Sequence, residues 1–142
     1  MAFEQWMEGI EGATKDMESL RNGSAELNRV VLAIETKLSN SGLYVPVSIS
    51  IGGSMSSVSW SKNPEGMDWA IWISRGTNRG QRFRDSTDYS LRHSAAPFLG
   101  KLVESLLKGV HALAEEVPLV IAGARSLNTE LEPAPPAAST NE

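Results

Sequence analysis

The chain has no cysteine in its 142 residues, which removes disulfide cross-links, thiolate metal sites and cysteine nucleophiles. Histidine is nearly as scarce. His93 and His111 are the only two, and neither has a second histidine or a carboxylate at a spacing that builds a metal site or a catalytic dyad. His111 precedes Glu115 by four residues, the spacing of a surface pair on a helix. Serines are plentiful but form no nucleophile elbow, and Gly52-Gly53-Ser54 lacks the lysine and spacing of a phosphate-binding loop. Adjacent carboxylates such as Glu115 and Glu116 diverge on a helix. No catalytic constellation is legible, so the expectation is a non-enzyme with no cofactor and no metal.

Long apolar runs are missing as well, so no segment reaches the roughly 20 residues of a membrane span. The first residues carry Glu4, Glu8 and Glu11 where a signal peptide needs a basic start and an apolar core. A cytoplasmic location and no membrane partner are the default expectations.

What is present is a folding sequence. An apolar fraction of 41% and a charged fraction of 21% are near the globular average, and the length suits one core. Phe3, Trp6, Ile10, Ala13, Met17, Leu20, Ser24, Leu27, Val31, Ile34 and Leu38 recur in alternating steps of three and four, a heptad seam on one long helix. Gly9, Gly12 and Asn22-Gly23 interrupt it. A break at Asn22 to Ser24, with Ser24 capping a second helix, is the alternative to one continuous helix.

From Leu43 to Ile51 the period changes to two, which predicts a half-buried strand, and Pro46 favours the sheet edge for it. Gly52-Gly53 forms the turn into a second strand through Val58 and Trp60. Asn63-Pro64-Glu65-Gly66 then turns into a third strand, Met67 to Ser74, apolar on both faces. Residues Asp85 to Asp88 offer N-caps for a short helical turn leading to Pro97, a good first residue of the second long helix. Its stripe runs through Leu99, Val103, Leu106, Val110, Leu113, Val117, Val120, Ala124, Leu127 and Leu131. Pro118 predicts a bend at Val117 or two stacked helices.

The fold class is therefore α+β: a long N-terminal helix, a three-stranded antiparallel β-meander and a long C-terminal helix, in one domain over residues 1–132. Residues 133–142, rich in proline and alanine, form a disordered tail. The order helix, three strands, helix is similar to that of small nucleoid-associated proteins that dimerise as tweezers, and more loosely to that of acidic dimeric secretion chaperones.

Two seams longer than three strands can cover leave apolar surface to bury. Pairing with the helices of a second copy is the leading expectation, ahead of an antiparallel hairpin within the chain. The apparent heptads also read as ordinary core faces of shorter helices, broken near Gly23 and Pro118.

Charge is segregated. Residues 1–40 carry four basic and seven acidic side chains, residues 41–96 six and four, and residues 97–142 three and six, within a net charge of −4. The basic excess centres on Arg75, Arg79, Arg82 and Arg84 around Phe83, read as a mobile loop whose guanidinium groups suit phosphate or carboxylate. Pairing of those arginines with Asp85 and Asp88 is the plainer reading. Trp60, Trp69 and Trp72 lie on neighbouring strands, where core packing explains them most simply and an outward tryptophan would anchor a partner.

The candidate binding surface is thus Arg75, Arg79, Arg82, Phe83, Arg84, Trp60 and Trp72. The function expected is a protein-interaction or scaffold module, homodimeric, with itself or another protein as partner. The alternative is a nucleic-acid-associated dimer placing the arginines on phosphates.

Overall fold

The first long helix forms without a break. In the computed structural model, which describes residues 2–52, 55–63, 66, 68–76 and 80–131, helix α1 spans Phe3–Asn40. Asn22-Gly23 does not stop it, and Ser24 is an interior residue rather than a cap. A glycine inside a helix costs about 1 kcal/mol, and this segment recovers it downstream through packing and through a bond from Arg92 to the Ser24 carbonyl. Termination comes at Gly42, whose φ of 69° is open to glycine, with Leu43 N–H donating to the Leu38 carbonyl at 3.0 Å.

Strands β1 (Val47–Ser50), β2 (Ser57–Lys62), β3 (Trp69–Ser74) and β4 (Gln81–Arg82) form one antiparallel sheet in sequence order. The first strand is shorter than its period-two pattern, beginning after Pro46, and it lies at the sheet edge as a residue without an N–H requires. Gly52, at φ 60°, turns the chain into β2, and Ile51 donates to the Ser56 carbonyl at 2.9 Å. Gly66 N–H reaches the Asn63 carbonyl at 3.2 Å in the next turn. Gly53, Pro64, Glu65 and Met67, included in these sequence expectations, lie outside the described residues.

The fourth strand is the departure from the three-stranded expectation. It is two residues long and pairs Arg82 with Trp72 and Gln81 with Ile73. Gln and Arg carry no apolar alternation, so the pairing left no mark on the hydropathy pattern. A 3-10 turn (Phe83–Asp85) follows, then helix α2 (Tyr89–Ala95), a second 3-10 turn (Ala96–Phe98) and helix α3 (Leu99–Leu131). Asp88 caps α2, its carboxylate accepting the Leu91 N–H at 3.0 Å. The proposed mobile loop is therefore structured from Gly80 onward, while Thr77, Asn78 and Arg79 lie outside the described residues.

Helix α3 continues through Pro118 as a single element rather than as two stacked helices. Proline has no N–H to donate, so the carbonyl four residues earlier loses its helical partner.

The chain divides into two compact units, Met1–Leu107 and Lys108–Glu142. In the first, one face of the sheet presents Ile49, Val58, Trp60, Ile71 and Ile73 to the core, with Val31 and Leu38 of α1, Phe83, and Leu91, Ala95, Leu99, Leu102 and Leu106 from the following helices. Each of the valine, leucine, isoleucine and phenylalanine side chains among them contributes about 1.5–3 kcal/mol on burial. Among the described residues, every buried side chain lies between Val31 and Leu106. In the second unit, residues 111–131 are exposed throughout. The tail from 133 onward is outside the described residues. Among those residues no helix is long and apolar enough to cross a membrane.

Candidate functional site

Two buried charges organise the first unit. Glu35, 5% exposed on the inner side of α1, accepts the Ile71 N–H at 2.7 Å through one carboxylate oxygen and Arg84 Nε at 2.6 Å through the other. The Ile71 N–H is available because β4 stops at Arg82 and leaves this part of β3 without a strand partner. Glu35 thus completes the sheet edge from a helix.

Arg92, 2% exposed on α2, has no ion pair among the described residues. Its terminal nitrogens donate to the Phe83 carbonyl, to the Ser24 carbonyl at 3.0 Å and to Asn28 Oδ1 at 2.7 Å, and its Cζ lies 4.8 Å from the Phe83 ring centre. Burial lowers the pKa of this guanidinium from its ordinary value, with Tyr89 acting in the opposite sense. Asn28 completes the tie by donating to the Arg84 carbonyl at 3.2 Å.

The residues singled out in the sequence separate into distinct places. Phe83 and Trp60 are both fully buried, so neither presents a surface to a partner. Trp60 Nε1 donates to the Leu43 carbonyl at 2.8 Å, which satisfies its one polar atom inside the core. Trp72 lies on the opposite, outer face, half-buried, with its Nε1 bonded to the Ser61 carbonyl at 3.0 Å. Register places Ser48, Ser59, Trp72 and Arg82 in one row across that face and Ser50, Ser57 and Ser74 in the next. The strand serines do form the polar face, and Ser57 and Ser74 hydrogen-bond at 2.9 Å.

The arginines are not one patch. Arg75 pairs with Asp88 at 3.2 Å, Arg84 turns inward to Glu35, and Arg82 stands 5.8 Å from the Trp72 ring centre with Asp68 at 3.5 Å. Arg79 lies outside the described residues. His111 pairs with Glu115 at 3.0 Å on the surface. Among the described residues no three His, Asp or Glu side chains cluster as a metal site.

Two cavities border this framework. One, of about 530 Å³, is an open groove between α1 and α2, lined by Leu20, Gly23, Leu27, Tyr89 and His93, with Asp16 at its margin. The other, of about 420 Å³, lies where the end of α1 meets the start of β3. Tyr44, Trp69 and Ala70 line it together with Lys62, Asp68, Arg82 and Arg84. The Tyr44 and Trp69 rings are 5.5 Å apart, and the Tyr44 hydroxyl is held by the Ser39 carbonyl at 3.0 Å.

Sequence reasoning missed Glu35, Asn28 and Arg92 as organisers and Lys62, Asp68 and Tyr44 as cavity residues. Glu35 carried a faint signal, since it stands four residues after Val31 and three before Leu38, on the flank of an apolar seam where an ordinary surface glutamate does not belong. The others carried none, because their roles arise from contacts between distant segments.

No protein-family model, curated protein or solved structure matches this chain.

Proposed function

We propose that the chain is a non-enzymatic protein-interaction module that works as a homodimer, with the first half of α1 as its contact surface. One observation carries the reading. Phe3, Trp6, Met7, Ile10 and Leu20 are all between 43% and 71% exposed, although their spacing is that of a helix seam built to be buried. Nothing from residue 2 to residue 30 is fully buried.

A second copy is the occupant best matched to this surface, since a heptad seam is self-complementary and an isologous contact uses the same patch twice. In the second unit, Leu113, Val117, Val120 and Leu127 repeat the pattern on α3, each at least 49% exposed. A nucleic-acid role draws less support, because Arg75 and Arg84 are turned to carboxylates rather than aligned along an outer surface.

Light scattering behind size exclusion tests the proposal on the full chain and on a Trp6→Glu, Ile10→Glu double variant. The expected result is twice the chain mass for the wild type and a folded monomer for the variant, with an unchanged sheet signal. A monomeric wild type at micromolar concentration would sink the homodimer.

A further inference from the structure

We propose that the 420 Å³ cavity beside β3 is a binding site for a small phosphate monoester carried on a flat ring, of which a nucleoside monophosphate is the chemical type. The inference does not rest on the dimer. It starts from convergence: Lys62 at the end of β2, Arg82 of β4 and Arg84 of the following 3-10 turn come from three elements and all line one cavity in a chain of net charge −4.

The carboxylates nearby do not consume these charges equally. Both oxygens of Glu35 are occupied, one by the Ile71 N–H and one by Arg84 Nε. That bond uses the inner edge of the guanidinium and fixes its plane. Among the described residues no further bond engages the Arg84 terminal nitrogens, and Lys62 has no carboxylate partner. Asp68 is the remaining acid, 78% exposed and 3.5 Å from Arg82, an arrangement that holds little energy against solvent and can yield to a stronger anion. A phosphate meets one ammonium and two planar guanidinium groups, the combination suited to its several oxygens.

The other half of the cavity suits a ring. Tyr44 is 50% exposed and anchored through its hydroxyl, so one face is open while its orientation is fixed. Trp69 backs it and packs in turn on Trp60, with centroids 5.5 Å apart, which makes the aromatic wall rigid. The volume lies within the roughly 300–1,000 Å³ of small-molecule sites, and cations gathered around a cavity suit a compact ligand where a polymer needs an extended row.

The test titrates the full chain with adenosine 5′-monophosphate, adenosine and inorganic phosphate at one ionic strength, following tryptophan emission and amide shifts. Trp69 makes the cavity visible to the first probe. The monophosphate is expected to bind about tenfold or more tighter than either fragment. Lys62→Glu, at an exposed position, is expected to weaken it by about tenfold or more, and Lys62→Arg by no more than about threefold, with unchanged thermal melts in both. Equal binding of adenosine and its monophosphate overturns the proposal, as does no response at millimolar concentration or an unaffected Lys62→Glu variant. Displacement of the monophosphate by a single-stranded oligonucleotide at a lower nucleotide concentration would also overturn it, assigning the cations to a polymer.

Discussion

The carboxylate of Glu35 accepts the backbone N–H of Ile71 at 2.7 Å, so a helix side chain does the work of a missing strand. The sheet edge is closed at the residue where β4 ends, and the same carboxylate holds Arg84 at 2.6 Å. Orientation of α1 on the sheet and orientation of a cavity arginine are therefore one interaction.

Replacing Glu35 with Ala leaves Arg84 and the Ile71 amide without their acceptor. Breaking a buried charge pair by removing one partner costs about 3–5 kcal/mol. The expected outcome is a large fall in the denaturation midpoint and faster exchange of the Ile71 amide. Glu35→Gln, which keeps an acceptor for Ile71, is expected to lose roughly half as much by the net value of a charged hydrogen bond.

Arg92→Met removes the donor to the Phe83 and Ser24 carbonyls and to Asn28 Oδ1, for an expected loss of about 2–4 kcal/mol in urea unfolding. Its pH signature is equally specific. Burial lowers the guanidinium pKa, so the folded state binds fewer protons than the unfolded chain, and stability from this group rises with pH only in the strongly alkaline window between the two values. Between about pH 5 and pH 9 Arg92 is charged in both states. The difference in stability between wild type and Arg92→Met is expected to be flat there, and a slope would show that another titrating group is coupled to it.

Glycines in this chain divide into two kinds. A Cβ added at Gly12 meets nothing within 4 Å, so Gly12→Ala is expected to stabilise α1 locally by about 1 kcal/mol, seen as slower amide exchange in that half of the helix. Gly42 also has open space around it but holds φ at 69°, so Gly42→Ala is expected to destabilise by about 1 kcal/mol or more. Space predicts the same sign for both, and backbone conformation reverses one.

A chain ending at Leu107 keeps every buried residue described, the last being Leu106. It is expected to retain the cooperative unfolding and the tryptophan environment of the full chain. Loss of the folded sheet would show that residues 108 onward contribute to the core.

Much of the framework was readable in one dimension because it is local. The three-four alternation from Phe3 to Leu38, the period of two through Val58 and Trp60, and the capping residues before Leu91 each act within a few residues of chain. The alternative of a break at Asn22 to Ser24 rested on a local signal too, and the structure keeps the single long helix. Asn22-Gly23 reads as a stop, yet its cost of about 1 kcal/mol is small beside the packing and bonding of the helix that follows. The two residues of β4 were invisible because Gln81 and Arg82 are polar and the ladder they join is decided by β3.

The sequence by itself determined the α+β order of elements, the edge position of the Pro46 strand, the polar serine face and the amphipathic character of both long helices, since periodicity and backbone chemistry are properties of neighbours along the chain. Tertiary structure alone decided which aromatics are core and which are surface. Trp60 stands between two serines and Trp72 between two isoleucines, and the packing of helices on one sheet face makes the first core and leaves the second half-buried on the other. It also decided that Arg84 and Arg92 are internal fasteners while Lys62 and Arg82 border a cavity. The charge of each residue is written in the sequence, whereas the partners that determine what the charge does are brought together only by the fold.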